Sequence, residues 1–337
     1  MPIDYYYPLK WLGMNTTRAG VNLAELIFSR PPHPTPNLEL SYIPTTDPRH
    51  KPRAMHVYLP EKHVAYSGRL PVHVTIHGSG FCMNTFGKQD QEFCAWLANS
   101  APCVVVDIDH RKAPEAPWPA GPDDVRDALR TVRELAHGHG WDAERLSIGG
   151  FSSGGCLAMV EATRPRDDDE PPVVACVAFY PSTNLAEAPY KKRVHLPELK
   201  LKHPEETAGT SIPHWFRRFM YSCYLPSSKV HDASHGRPRD PPPGMPTRAD
   251  PRISPYYASS SHFPPTTIIT GSVDALAREG KELIERLKGD NVDAVYWSAE
   301  GQGHNWDHEV KEGTGPEKIK WEAYELACKR LQDVYDT

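Results

Sequence analysis

The chain has 337 residues, of which 38 are basic and 43 acidic, for a formal net charge of −5; 39% of it is hydrophobic. That balance offers no positive field to nucleic acid or an anionic membrane surface, and no apolar run approaches the roughly 18 residues of a membrane span. At about twice the ~150 residues of a common domain, the length suits one large α/β core with an insertion.

In chain order, the first twenty residues, MPIDYYYPLKWLGMNTTRAG, lack the basic patch and apolar stretch of a signal peptide. The seven cysteines include no C-x-x-C pair, so neither a disulfide framework nor a zinc site is expected, and a reducing, cytoplasmic compartment fits. Residues 37–45 and 53–60 read as two strands that start a sheet in antiparallel fashion. Leu70–Ile76 reads as a buried strand ending at the glycine-rich turn His77-Gly78-Ser79-Gly80-Phe81. Another strand covers 102–109, and 122–136 is an amphipathic helix with Val125, Ala128, Leu129, Val132 and Ala136 on one face. A short strand at 145–148 runs into Gly149-Gly150 and is followed by helical pattern at 156–160. Strands follow at 173–179, 266–270 and 293–297, with helices at 276–288 and 316–335.

Strand and helix alternating in this way predict an α/β fold with a mostly parallel central sheet flanked by helices. Residues 184–249 break the rhythm with charged, aromatic and proline-rich sequence, including the proline run 237–246. The expected organisation is an N-terminal cap segment at 1–36, core at 37–183, a cap insertion at 184–249 and core again at 250–337. No internal repeat of 20–50 residues is present.

The sharpest local feature is Gly150-Phe151-Ser152-Ser153-Gly154, a G-x-S-x-G with a strand before it and a helix after it. Such a turn exposes a strained serine, and the helix N-terminus behind it offers N–H groups to a developing anion. Upstream, the glycines around Ser79 free backbone N–H groups to point at one spot, as an oxyanion hole requires. In this sheet type the triad follows in the order Ser, acid, His. Asp274 stands just past the strand 266–270, and His304 stands in the glycine-flanked loop after the strand 293–297. His308 competes as the base but lacks a flanking glycine. Asp290 reads as a helix-ending turn, and Asp293 as the opening of a strand.

With these residues in place, the chain resembles the hormone-sensitive-lipase-like branch of the α/β-hydrolases. His77–Gly80 with Phe81 is similar to H-G-G-G-F. Asp109-His110-Arg111-Lys112-Ala113-Pro114-Glu115, with Pro117-Trp118-Pro119-Ala120, is similar to D-Y-R-L-A-P-E…F-P-A. The elbow is similar to G-D-S-A-G-G, and Asp274 to Gly280 with Gly303-His304 to D-x-L-x-x-E-G…H. Ser79, Phe151, Ser153, His110 and Lys112 depart from these patterns without removing a catalytic group.

The resemblance implies the α/β-hydrolase fold and a serine carboxylesterase acting on small or short-acyl, even aromatic, esters. Ser152, Asp274 and His304 would be its triad; Ser79, Gly80 and Ser153 would form the oxyanion hole. Neither metal nor organic cofactor is required. Phe81, Phe151, Trp215, Phe219 and Trp306 are the candidate substrate-contacting side chains, although Trp215 and Phe219, four residues apart, could instead pack a cap onto the core. Cys156 lies near the nucleophile and reads as buried helix core. The expected partner is a small-molecule ester, with no nucleic acid and no membrane; a homodimer is left open. The same fold also accommodates a lactonase, amidase, transacylase or dehydratase. A non-catalytic ligand receptor would lose the catalytic histidine, and His304 is present.

Overall fold

A computed structural model describes residues 4–27, 33–61, 68–166, 170–192, 212–231, 241, 243–308 and 310–336. The strands are β1 (Leu38–Tyr42), β2 (Arg53–Tyr58), β3 (Leu70–Ile76), β4 (Val104–Ile108), β5 (Trp141–Phe151), β6 (Cys176–Phe179), β7 (Thr266–Gly271) and β8 (Ala294–Ala299). The helices are α1 (Tyr7–Ile27), α2 (Gln91–Ser100), α3 (Ala120–His139), α4 (Ser153–Ala162), α5 (His214–Tyr224), α6 (Ala277–Gly289) and α7 (Gly315–Tyr335). Parts of the expected insertion, including half of the residues of its proline run, lie outside the described residues.

The strands form one eight-stranded sheet in the order β1-β2-β4-β3-β5-β6-β7-β8. β2 runs antiparallel to both β1 and β4, and every other neighbouring pair is parallel. The central strands are rich in apolar residues and largely buried because helices cover both faces. β3 (LPVHVTI) is buried from Pro71 to Ile76, and β4 is buried throughout.

The pleat sorts alternate residues to two layers. Val72, Val74, Ile76 and Ile148 meet Leu129 of α3, Leu157 of α4 and Leu283 of α6 in one layer. Val105, Phe151, Val177, Phe179 and Ile269 meet Leu97 of α2 and Leu331 of α7 in the other. α3 carries one apolar stripe and stops at Gly140, whose φ of 72° is left-handed backbone that glycine adopts without strain. α4 lies between sheet and surrounding structure, with all ten of its residues buried.

α1 and α2 were not foreseen. α1 contains Pro8, Gly13 and Gly20, poor helix formers, and is fixed by tertiary contacts. Its Arg18 donates to the Cys82 and Ala113 carbonyls at 2.9 and 2.7 Å and pairs with Glu115 at 2.9 Å. Phe219 of α5 packs against Gly13 of α1. All seven cysteines are buried free thiols. Among the described residues, no helix is long and apolar enough to cross a membrane.

His73 points from β3 into the core and bonds Ser147 Oγ at 2.8 Å; burial pushes its imidazole pKa down to about 3. An unfolded chain therefore binds a proton at this residue below about pH 6.5 that the folded chain refuses, and folding loses stability there as pH falls. The difference in unfolding free energy between wild type and His73→Leu should shift in the variant's favour by up to about 1.4 kcal/mol per pH unit below ~6.5. Urea unfolding of both proteins from pH 7.5 to 5.0 measures this, and a constant difference across that range would contradict it.

Candidate active site

Ser152 sits between β5 and α4 at φ 52° and ψ −116°, a conformation that a residue with a side chain rarely adopts. The sequence permits it because glycines stand two positions before and after it. A Cβ on Gly150 would lie 2.5 Å from the Ile76 carbonyl oxygen, and one on Gly154 would collide with the Ile76 and His77 carbonyls. The end of β3, and the loop that leaves it, can therefore press against the turn.

The loops that follow β7 and β8 meet beside this turn. At Gly271 any side chain would strike the Gln302 and Gly303 carbonyls, so glycine lets the two loops touch. His304 Nε2 lies 2.9 Å from Ser152 Oγ, and His304 Nδ1 lies 2.7 Å from Asp274 Oδ2. With the carboxylate accepting at Nδ1–H, Nε2 is left to accept from the Ser152 hydroxyl. The other Asp274 oxygen accepts the Leu276 N–H at 2.9 Å, and both Asp274 and His304 are buried. Ser152, His304 and Asp274 thus form one hydrogen-bonded line. His308 lies off it, bonded to the Tyr180 hydroxyl and the Gln89 carbonyl at 2.8 and 3.1 Å. Asp290 caps the end of α6, and Asp293 pairs with Arg330 at 2.7 Å.

The loop after β3 is held from behind by a buried charge. Lys112 Nζ lies 3.1 Å from His77 Nε2 and 2.8 Å from Asp109 Oδ1. The other ring nitrogen of His77 faces Thr85 Oγ1 at 3.0 Å. Burial, reinforced by the Lys112 charge, lowers the His77 pKa. Burial alone would raise Asp109, but Lys112 and His77 outweigh it and hold its carboxyl well below the usual range. At the front of the loop, the Ser79 N–H donates to Ser153 Oγ at 3.0 Å.

Above Ser152 opens a small cleft. Its walls include Phe81, Met220, Tyr221, Val273 and Leu276, with Ser182 and Arg217 as polar members. Of the expected substrate-contacting residues, only Phe81 stands in this wall. Phe151 is fully buried on the opposite side of the sheet, stacked on Phe179 at 4.7 Å, because the pleat turns it away from its neighbour Gly150. Trp306 is also fully buried, 6.3 Å from Trp297. Trp215 is 64% exposed on the outer side of α5, and Phe219 packs on α1. Cys156 is buried in α4.

Several side chains at the site carry no motif of their own. Tyr180 stands edge-on to His304, with ring centroids 4.8 Å apart, and donates to Asp307 Oδ1 at 2.7 Å. Lys192 and Glu279 form a fully buried ion pair at 2.6 Å. Glu279 also accepts the Thr183 and Asn184 N–H groups at 2.8 and 3.2 Å, which anchors the loop bearing Ser182. Ser182 in turn bonds the Tyr221 hydroxyl at 2.7 Å, and Lys192 Nζ lies 3.4 Å from that hydroxyl. Glu279 belonged to the last resembled block, but its partner Lys192 comes from a stretch with no recognisable pattern.

A family model described as the alpha/beta hydrolase fold matches residues 73–234 and 242–308. The chain is 31% identical over 226 residues to the carboxylesterase NlhH of Mycobacterium tuberculosis, covering 66% of this chain and 62% of that protein. It is 41% identical over 113 residues to the esterase LipI of the same organism, covering 34% of this chain and 35% of that protein. The chain therefore spans between about a third and just under two thirds of the length of these relatives. Among solved structures, the Pyrobaculum calidifontis esterase superposes with a TM-score of 0.70 at 27% identity, over 95% of this chain and 93% of that one.

Removing one member of a buried ion pair strands the other charge without a partner. Lys192→Met should destabilise the protein by about 3–5 kcal/mol, whereas Lys192→Met with Glu279→Gln should cost clearly less than that. Urea unfolding of both variants tests this; a double variant as unstable as the single one would contradict it.

Proposed function

From its place in the hormone-sensitive-lipase-like branch of the α/β-hydrolase family, to which the chain belongs, we propose that the protein is a serine carboxylesterase of small, short-acyl esters. The observation that carries this reading is the hydrogen-bonded line from Ser152 through His304 to Asp274, opening into an apolar cleft. The esterase relatives support it, and the fold supplies the reason such a line can form.

In this reading His304 Nε2 takes the Ser152 proton while Oγ bonds to the ester carbonyl carbon. Asp274 holds the imidazole in the tautomer that can accept that proton and stabilises the imidazolium that results. The oxyanion of the tetrahedral intermediate is assigned to donors of the 79–80 loop and of Ser153. His304 then returns the proton to the alkoxide, the alcohol leaves, and an acyl group remains on Ser152. Water, deprotonated by the same imidazole, attacks the acyl-enzyme, and Ser152 is regenerated with release of the acid. The proton balance closes within the Ser152–His304 pair at each half-reaction.

The cleft sets the substrate class. Its apolar walls, Met220 and Tyr221 of α5 among them, suit acyl chains of a few carbons. We assign the described parts of 1–36 and 184–249 to a cap over the core, with α1 and α5 as its helices; the remainder of both segments lies outside the described residues.

Turnover of p-nitrophenyl acetate, butyrate, octanoate and palmitate should fall steeply with chain length. Ser152→Ala should lose roughly 10⁴-fold or more in kcat, and Asp274→Asn up to about 10⁴-fold, with the fold intact by circular dichroism. A folded wild type with no Ser152-dependent turnover of any of the four esters would overturn the reading. Palmitate as the best substrate would overturn the short-acyl assignment alone.

A further inference from the structure

We propose that the side-chain hydroxyl of Ser153 is itself a donor of the oxyanion hole, taking the place of the Ser79 N–H that it caps. The inference deepens the esterase reading and rests on it.

Ser153 is the first residue of α4, directly after Ser152. Its Oγ accepts the Ser79 N–H at 3.0 Å and lies 3.2 Å from Ser79 Oγ. Both serines are buried, at 1% and 6% exposure, and both border the space in front of Ser152. The two resembled blocks carry glycine where Ser79 stands and alanine where Ser153 stands. With alanine after the nucleophile, the Ser79 N–H would have no such acceptor and could face the oxyanion directly. Here that donor is already engaged, and the engagement is made by a group that can pass it on.

A hydroxyl that accepts one hydrogen bond still has its own proton to give. The Ser79 N–H is fixed by the backbone, so it holds Oγ as an acceptor and leaves the O–H to rotate. In the resting site Ser79 Oγ lies within hydrogen-bond reach of that hydroxyl at 3.2 Å, and either oxygen can donate. Once the substrate carbonyl becomes an oxyanion, a charged acceptor competes, and hydrogen bonds to charged groups are the stronger ones. The N–H polarises the O–H in line with it, which strengthens the final bond to the oxyanion. The hole then consists of the Gly80 N–H, the Ser153 N–H and the Ser153 O–H. Because the hydroxyl reorients only as charge develops, it binds the transition state better than the ground state. Its loss should therefore appear in kcat and not in KM.

The test compares wild type, Ser152→Ala, Ser153→Ala and Ser153→Thr on p-nitrophenyl acetate, with inhibition by an aliphatic trifluoromethyl ketone, whose serine adduct carries an oxyanion. Loss of one oxyanion donor costs on the order of 10²–10³ in rate elsewhere. Ser153→Ala, which frees the Ser79 N–H as a partial substitute, should lose about 10-fold or more in kcat with KM within about twofold. The ketone should weaken in proportion, and Ser153→Thr, which keeps the hydroxyl, should recover most of the lost kcat. Ser153→Ala with kcat and ketone affinity at or above wild type would overturn the proposal, because the hydroxyl would then only obstruct the hole. A loss confined to KM would overturn it equally. If threonine does not fit and that variant unfolds, kcat and ketone affinity of Ser153→Ala decide alone. Ser152-dependent turnover that ignores Ser153→Ala removes this proposal only, whereas wild type without Ser152-dependent turnover removes the esterase reading beneath it.

Discussion

The site depends on one strained residue. Holding Ser152 at positive φ costs on the order of 1–3 kcal/mol, and such a conformation persists only where the surroundings over-determine it. Here they do so through backbone approaches that only glycine tolerates, with the carbonyls of Ile76 and His77 packed onto the 150–154 turn. Those carbonyls belong to the end of β3 and the loop that leaves it. The contact that strains the nucleophile therefore also sets the distance between the nucleophile and the 77–81 loop. A bulkier turn would part the two, and the candidate oxyanion donors would no longer face the serine.

The parallel sheet does the rest of the positioning. β3, β5, β7 and β8 all end on the same edge, and each contributes one loop of the candidate site there. Buried charges tie those loops to the elements around them. Lys112 links His77 of the 77–81 loop to Asp109 after β4. Lys192 links α6, whose leading turn carries Asp274, to the Ser182 loop and to Tyr221 of α5. Burying two charges yields little stability of itself. What these pairs provide is register: a displaced loop would leave an ion unpaired in the interior, so the wall of the cleft and the reacting groups keep a common frame. Arg18 fastens α1 to the core in the same way, through Glu115 and two carbonyls.

The sheet was largely legible from sequence because its strands are short β-branched runs bounded by turn residues, and β3 ends where the pattern ends. The 3.6-residue stripe located α3 and α6 within a few residues. Ser152, Asp274 and His304 stood out because each follows a strand at a small-residue turn, a relation that reads in one dimension. The cleft wall did not read that way. Ser182, Met220 and Tyr221 come from separate stretches with no motif, and only folding brings them to Ser152. Phe151 and Trp306 stood within two residues of Ser152 and His304 in sequence but are buried in the core; for Phe151, a one-residue step along β5 reverses the side chain. Phe151 was decidable beforehand: if Gly150 packs towards α4, the next residue points to the other face. Trp215 failed for another reason, because its helical spacing from Phe219 does not say which flank of the stripe meets the core.

The most direct measurement is stoichiometric labelling with diethyl p-nitrophenyl phosphate, followed by peptide mapping. The phosphorus accepts the serine oxygen and expels p-nitrophenolate, so an activated Ser152 should release one p-nitrophenolate per chain and carry the diethyl phosphoryl group on Ser152 alone. No release from folded protein, or an adduct on a residue other than Ser152, would contradict a nucleophile made reactive by His304 and Asp274.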